Sequence, residues 1–120
     1  MKLLFVDDEA PIRRIVQRGL GRSGHEVILA ADGEEAWEQF CAAPHSFDIV
    51  FTDIRMPRLD GVSFLRRLRA AGHEVPCVLI TGHLPKEQWT EEPGDVLAFL
   101  EKPFRITRML EIIEQIAESA

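Results

Sequence analysis

Five short apolar runs, interleaved with segments of helical period, limit what this chain can become. They are Leu3-Leu4-Phe5-Val6, Val27-Ile28-Leu29-Ala30, Ile49-Val50-Phe51, Val78-Leu79-Ile80 and Val96-Leu97-Ala98-Phe99-Leu100. None alternates polar with apolar residues. Each therefore reads as a strand buried on both faces, the condition of a parallel sheet covered by helices.

Between the runs, apolar residues recur at helical spacing: Ile12, Ile15, Val16 and Leu20; Trp37, Phe40 and Cys41; Phe64, Leu65 and Leu68. Ile106, Met109, Leu110, Ile113, Ile116 and Ala117 mark a last helix. Asp32 precedes Glu35 at capping-box spacing, and Pro11 and Pro85 suit first-turn positions where no N–H bond is lost. Pro93-Gly94 closes a fourth helix after about two turns from Pro85. The pattern predicts five βα units: an α/β fold with a five-stranded parallel sheet and five helices. At 120 residues and 46% hydrophobic content the chain can build one core, and no repeat or linker divides it. A single domain over residues 1–120 is expected.

Fourteen Lys and Arg against 20 Asp and Glu leave a formal charge of -6, which disfavours direct nucleic-acid binding because phosphate recognition needs a basic patch. Cys41 and Cys77 lack metal-type spacing and read as core fillers. Neither a signal-peptide hydrophobic region nor a bilayer-length apolar run is present, so a reducing cytoplasm is expected and a membrane is not.

In an open parallel sheet, ligands bind beyond the carboxyl ends of the strands. There the first run ends in Asp7-Asp8, the third in Asp53, the fourth in Thr81 and the fifth in Lys102. Asp7-Asp8 alone would suit a helix N-terminus, where acidic residues are favoured. Beside Asp53 it becomes a carboxylate cluster, whose repulsion calls for a cation, and oxygen-only ligands favour a hard ion such as Mg²⁺. A carboxylate beside such an ion and a lysine can attack phosphorus, which would make Asp53 an aspartyl phosphate.

Phe5-Val6-Asp7-Asp8-Glu9, Asp53-Ile54-Arg55-Met56-Pro57-Arg58-Leu59-Asp60-Gly61, Ile80-Thr81-Gly82 and Lys102-Pro103-Phe104 stand in this order along the chain. Together they closely resemble the bacterial two-component response-regulator receiver family, of the chemotaxis-regulator kind, over essentially the whole length. The resemblance implies a flavodoxin-like three-layer sandwich with strand order 2-1-3-4-5, for which a chemotaxis regulator of this family is a standard example. It implies that Asp8, Asp53 and the Arg55 backbone carbonyl bind Mg²⁺ directly, that Asp7 acts through a metal-bound water, and that Asp53 accepts the phosphoryl group. Lys102 and Thr81 would each hold a phosphoryl oxygen, Gly82 would keep the approach open, and the Lys102-Pro103 bond would be cis.

Phe99 stands where the family carries an aromatic switch, though a strand aromatic also fits plain core. Arg55 and His83 follow Asp53 and Thr81 by two residues, at positions that flank the pocket in the family. Asp60-Gly61 and Met56-Pro57 read as loop geometry rather than chemistry. His25, His45 and His73 read as surface residues. The implied partners are a sensor histidine kinase or histidine phosphotransfer protein, and an output domain or protein reached through the fourth helix, fifth strand and fifth helix. The chain would then catalyse only its own phosphorylation and dephosphorylation. A haloacid-dehalogenase-like phosphatase would want a second Asp where Arg55 stands, and has a cap insertion that is missing here. A receiver-like domain that had lost phosphorylation would lack one of the acidic residues, Thr81 or Lys102, and all are present.

Overall fold

The apolar runs pair side by side because each lacks the polar alternation that would let it face water. A computed structural model describes residues 1–82 and 96–119. In chain order the elements are β1 (Lys2–Val6), α1 (Ala10–Arg22), β2 (Glu26–Ala30), α2 (Gly33–Ala42), β3 (Ile49–Asp53), α3 (Gly61–Ala70), β4 (Cys77–Thr81), β5 (Ala98–Glu101) and α4 (Ile106–Ser119). All strand pairs are parallel and the sheet order is β2-β1-β3-β4-β5. The register sets Val6 against Ala30 and Thr52, Asp53 against Ile80, and Thr81 against Glu101. The carboxyl ends are thus level, and the residues that follow them share one edge.

Within each strand the side chains alternate between two helical layers. Leu3, Phe5, Phe51 and Ile80 pack with Val16 and Leu20 of α1 and Met109, Ile112 and Ile113 of α4. Leu4, Val6, Val50 and Leu79 pack with Ala36 and Phe40 of α2 and Phe64, Leu65 and Leu68 of α3. The result is the expected three-layer sandwich.

Helix starts follow local chemistry. Asp32 caps α2 by accepting a 2.8 Å hydrogen bond from the Glu35 N–H, and Pro11 lies in the first turn of α1. Asp60, expected only to turn the chain, also caps α3, accepting from the Ser63 N–H at 2.7 Å. Its neighbour Gly61 is demanded by crowding: a Cβ there would run into the Asp53 carbonyl oxygen. The Lys102-Pro103 bond is cis.

Several expectations need correction. The described residues hold four helices rather than five; the expected helix from Pro85 to Pro93-Gly94 lies outside them, and the expected fifth helix is α4. Burial on both faces holds for β1, β3 and β4, is partial in β2, and fails in the fifth run, where Leu97, just before β5, and Phe99 within it are 52% and 39% exposed. The reason is position, since among the described residues β5 lies at the edge of the sheet, beside β4. Ile15, placed in the buried stripe of α1, is 61% exposed, because it sits off the face carried by Val16 and Leu20. Ala117 is likewise exposed, and Ile112 takes a core place in α4. Cys41 is exposed near the end of α2, whereas Cys77 is buried in β4. No helix among the described residues is long and apolar enough to cross a membrane.

Candidate functional site

The level strand ends bring together residues far apart in sequence. Asp7, one residue past β1, is fully buried. Its Oδ1 accepts from the Glu9 N–H at 2.8 Å, and its backbone carbonyl accepts from Arg13 Nη1 at 2.7 Å. Its Oδ2 accepts no hydrogen bond. Lys102 Nζ lies 3.1 Å from that oxygen as an ion pair without hydrogen-bond alignment.

Asp53 closes β3 and is also buried. Lys102 Nζ donates to its Oδ2 at 2.7 Å, and the Arg55 N–H donates weakly to Oδ1 at 3.3 Å. Asp8 is exposed, yet one carboxylate oxygen from each of Asp7, Asp8 and Asp53 falls within 4.8 Å of the others. Lys102 is anchored by its backbone N–H donating to the Thr81 carbonyl at 2.8 Å, which continues the β4–β5 ladder. Asp53, Ile54, Arg55, Thr81, Gly82 and Lys102 line one cavity of about 240 Å³. Gly82 is exposed at its mouth, and a Cβ there would meet nothing within 4 Å.

The electrostatics are unbalanced. Burial pushes the Asp7 carboxyl above its ordinary pKa, and the Glu9 N–H and Lys102 only partly counter that. For Lys102, burial works to lower the pKa, but its contacts with Asp53 and Asp7 prevail and hold it above the usual lysine value. One ammonium thus serves three carboxylates, because Lys102 also pairs with Glu9 at 3.3 Å. A second cation would relieve that excess. The all-oxygen donor set and the orphaned buried Oδ2 of Asp7 fit a hard divalent ion.

The fold therefore brings Asp7, Asp8, Asp53, Thr81, Gly82, Arg55 and Lys102 to one place. It leaves Phe99 on β5, partly exposed. His83 lies outside the described residues. Glu9, for which the sequence predicts no role, reaches the same Lys102 ammonium, and its adjacency to Asp7-Asp8 is the signal that points to it. The histidines are less isolated than expected. His25 Nδ1 lies 3.2 Å from the Met1 ammonium, and the half-buried His73 sets its ring edge-on to Phe40 at 4.9 Å.

Comparisons with known proteins agree with this geometry. Residues 3–114 match the family described as "Response regulator receiver domain". The chain is 34% identical over 114 residues to Response regulator MprA of Mycobacterium leprae, covering 92% of this chain and 48% of that protein. It therefore spans about half the length of the first such relatives. It is 37% identical over 108 residues to Chemotaxis protein CheY1 of Helicobacter pylori, covering 87% of this chain and 86% of that one. Among solved structures, the receiver domain of NtrX from Brucella abortus superposes with a TM-score of 0.84 at 33% identity, covering 98% of this chain and 99% of that domain. The chain belongs to the response-regulator receiver family of two-component signalling systems.

Proposed function

We propose that Asp53 is the residue that accepts the phosphoryl group. The observation that carries this reading is its buried carboxylate, hydrogen-bonded at 2.7 Å to Lys102 and facing the cavity lined by Thr81 and Gly82. An Asp53 oxygen attacks the phosphorus of a phosphohistidine on a sensor kinase or phosphotransfer protein. The P–N bond breaks and its electron pair leaves with the imidazole. Lys102, held at the cavity floor before the donor arrives, gives the transferring oxygens a preorganised cation. The Thr81 hydroxyl offers a second donor once the product carries about -1.5 to -2 charge.

Asp8, Asp53 and the Arg55 carbonyl, with Asp7 behind them, would hold Mg²⁺, which when bound neutralises charge on the phosphoryl oxygens. Arg55 stands where a phosphatase would need an acid, and a guanidinium that keeps its proton cannot supply one. The chain therefore modifies only itself, and it works in the cytoplasm by altering the surface of the fourth helix, fifth strand and fifth helix to recruit an output domain or partner.

Intact-mass analysis after incubation with Mg²⁺ and a small acyl phosphate tests the reading. One added phosphoryl group is expected on the parent and none on Asp53→Asn; equal labelling of both would refute it.

A further inference from the structure

Among the described residues, Arg58 alone combines a side chain with a positive φ, at 68°. Across it the Leu59 N–H donates to the Pro57 carbonyl at 2.9 Å, closing a three-residue turn centred on Arg58. A turn of this kind with a positive central φ is rare and strained, and it persists only where the surroundings over-determine it. Those surroundings are the start of α2. Arg58 sets a two-pronged fork on Asp32, with Nε 3.0 Å from Oδ2 and Nη2 donating to Oδ1 at 3.1 Å. The Asp32 side chain is 13% exposed, and its Oδ1 also caps α2 through the Glu35 N–H. Beside it the Gly33 N–H donates to the Leu59 carbonyl at 3.0 Å, an approach so close that a Cβ on Gly33 would run into that oxygen. A glycine at position 58 would close the same turn without strain. The turn therefore does not call for Arg58, whereas the fork does.

The fork fixes a loop that begins at Arg55. Ile54, just before it, is tied to the sheet: its N–H donates to the Ile80 carbonyl at 2.9 Å, and its own carbonyl accepts from the Gly61 N–H at 2.9 Å. Arg55 itself is exposed, and its N–H reaches Asp53 Oδ1 at 3.3 Å, too weak a bond to set which way its carbonyl points. Two stiff residues separate it from Arg58. Met56 precedes a proline and is biased to extended backbone, and Pro57 has its φ fixed by its ring. An orientation imposed at Arg58 is therefore carried back to Arg55. We propose that Arg58 and Asp32 are positioning residues for the metal: by clasping the β3–α3 loop to α2, they keep the Arg55 carbonyl in the orientation in which it joins Asp8 and Asp53 on Mg²⁺. The inference rests on the reading that this carbonyl is a Mg²⁺ ligand. Without the clasp the loop spends part of its time with the carbonyl turned away, and the apparent affinity falls with the fraction of competent loop.

Titration calorimetry with Mg²⁺ on the metal-free parent, Arg58→Gly, Asp32→Ser and the double variant tests the proposal. Serine keeps the helix cap but is too short to grip the guanidinium, and glycine suits the positive φ, so thermal melts should show all four proteins folded at the temperature of the titration. Each single variant should bind Mg²⁺ about three- to five-fold more weakly, the scale of a well-formed exposed ion pair. Charge alone predicts opposite signs, because losing a cation should tighten Mg²⁺ binding and losing an anion should weaken it. Weaker binding in both variants therefore marks position rather than charge. The double variant, which keeps the parent's net charge, should bind as weakly as either single variant, since all three lose one shared contact. Amide exchange gives a readout without metal: the Gly33 and Leu59 N–H groups should exchange faster in the variants than in the parent. Tighter Mg²⁺ binding by Arg58→Gly, an unchanged Kd in both single variants, or losses that add in the double variant would overturn the inference and leave the metal site standing. A parent that gives no Mg²⁺ isotherm would overturn the metal site itself, and the inference with it.

Discussion

Replacing Asp7 with Asn should make the metal-free protein more stable and the metal response weaker, a pair of opposite signs that few other substitutions would give. Asp7 is fully buried, its Oδ2 accepts no hydrogen bond, and burial raises its pKa. An amide keeps an oxygen for the Glu9 N–H and gives up the 3.1 Å ion pair with Lys102, but it removes a buried negative charge from a cluster in which Lys102 still serves Asp53 and Glu9. Relief of one unsatisfied buried acceptor is worth about 1–3 kcal/mol. At about 4 °C per kcal/mol for a domain of this size, the melting temperature should rise by about 4–12 °C. A group with a raised folded pKa supports the fold fully when protonated, below its unfolded value of 3.8, and loses that contribution as pH rises through the raised pKa. The advantage of Asn should therefore be full at neutral pH and shrink as pH falls towards 3.8. Ligand binding raises stability by RT ln(1 + [L]/Kd), so saturating Mg²⁺ should lift the parent's melting temperature and lift Asp7→Asn far less. Asp8→Asn is the control, since an exposed carboxylate should lose the Mg²⁺ response while changing metal-free stability by only ~0.5 kcal/mol. Calorimetric melts at several pH values and Mg²⁺ concentrations read all of this. A metal-free Asp7→Asn that melts below the parent, with an undiminished Mg²⁺ shift, would refute the reasoning.

Three further outcomes follow from the same structure. A thiol reagent should label exposed Cys41 quickly in the native protein and reach Cys77, whose thiol burial pushes up to about 11, only on unfolding; labelling of both thiols at similar rates would contradict that. Gly61→Ala should cost more than ~2 kcal/mol in denaturant unfolding, because its methyl meets the Asp53 carbonyl, whereas Gly82→Ala should stay within ~0.5 kcal/mol; equal costs would remove the crowding argument. Joint replacement of Arg55 and His83 should change the decay rate of the phosphorylated protein several-fold at unchanged stability, and an unaltered decay would leave them as ordinary surface residues.

The inner strands and the strand-end residues were legible because each leaves a local mark: an apolar run without alternation, then an abrupt polar stop. Those stops mark Asp7, Asp53, Thr81 and Lys102 without reference to any contact. Features created by neighbours were not legible. Leu97 and Phe99 read as buried, and only the sheet order makes β5 an edge. Cys41 follows Phe40 on the same helix, and a shift of one position around the helix moves it from core to solvent. The Glu9 contact to Lys102 spans 93 residues of sequence, and the crowding that requires Gly61 arises from the Asp53 carbonyl across the β3–α3 loop. Asp60 showed its turn but not its capping bond, because Asp-Gly carries both signals.

The central claim is that Asp53, and no other carboxylate of the cluster, carries the phosphoryl group. Reductive trapping tests it most directly: the phosphorylated protein is treated with borohydride, which converts an aspartyl phosphate to homoserine, and its peptides are sequenced by mass spectrometry. The account predicts homoserine at position 53 alone. Homoserine at position 7 or 8, with Asp53 intact, would contradict it.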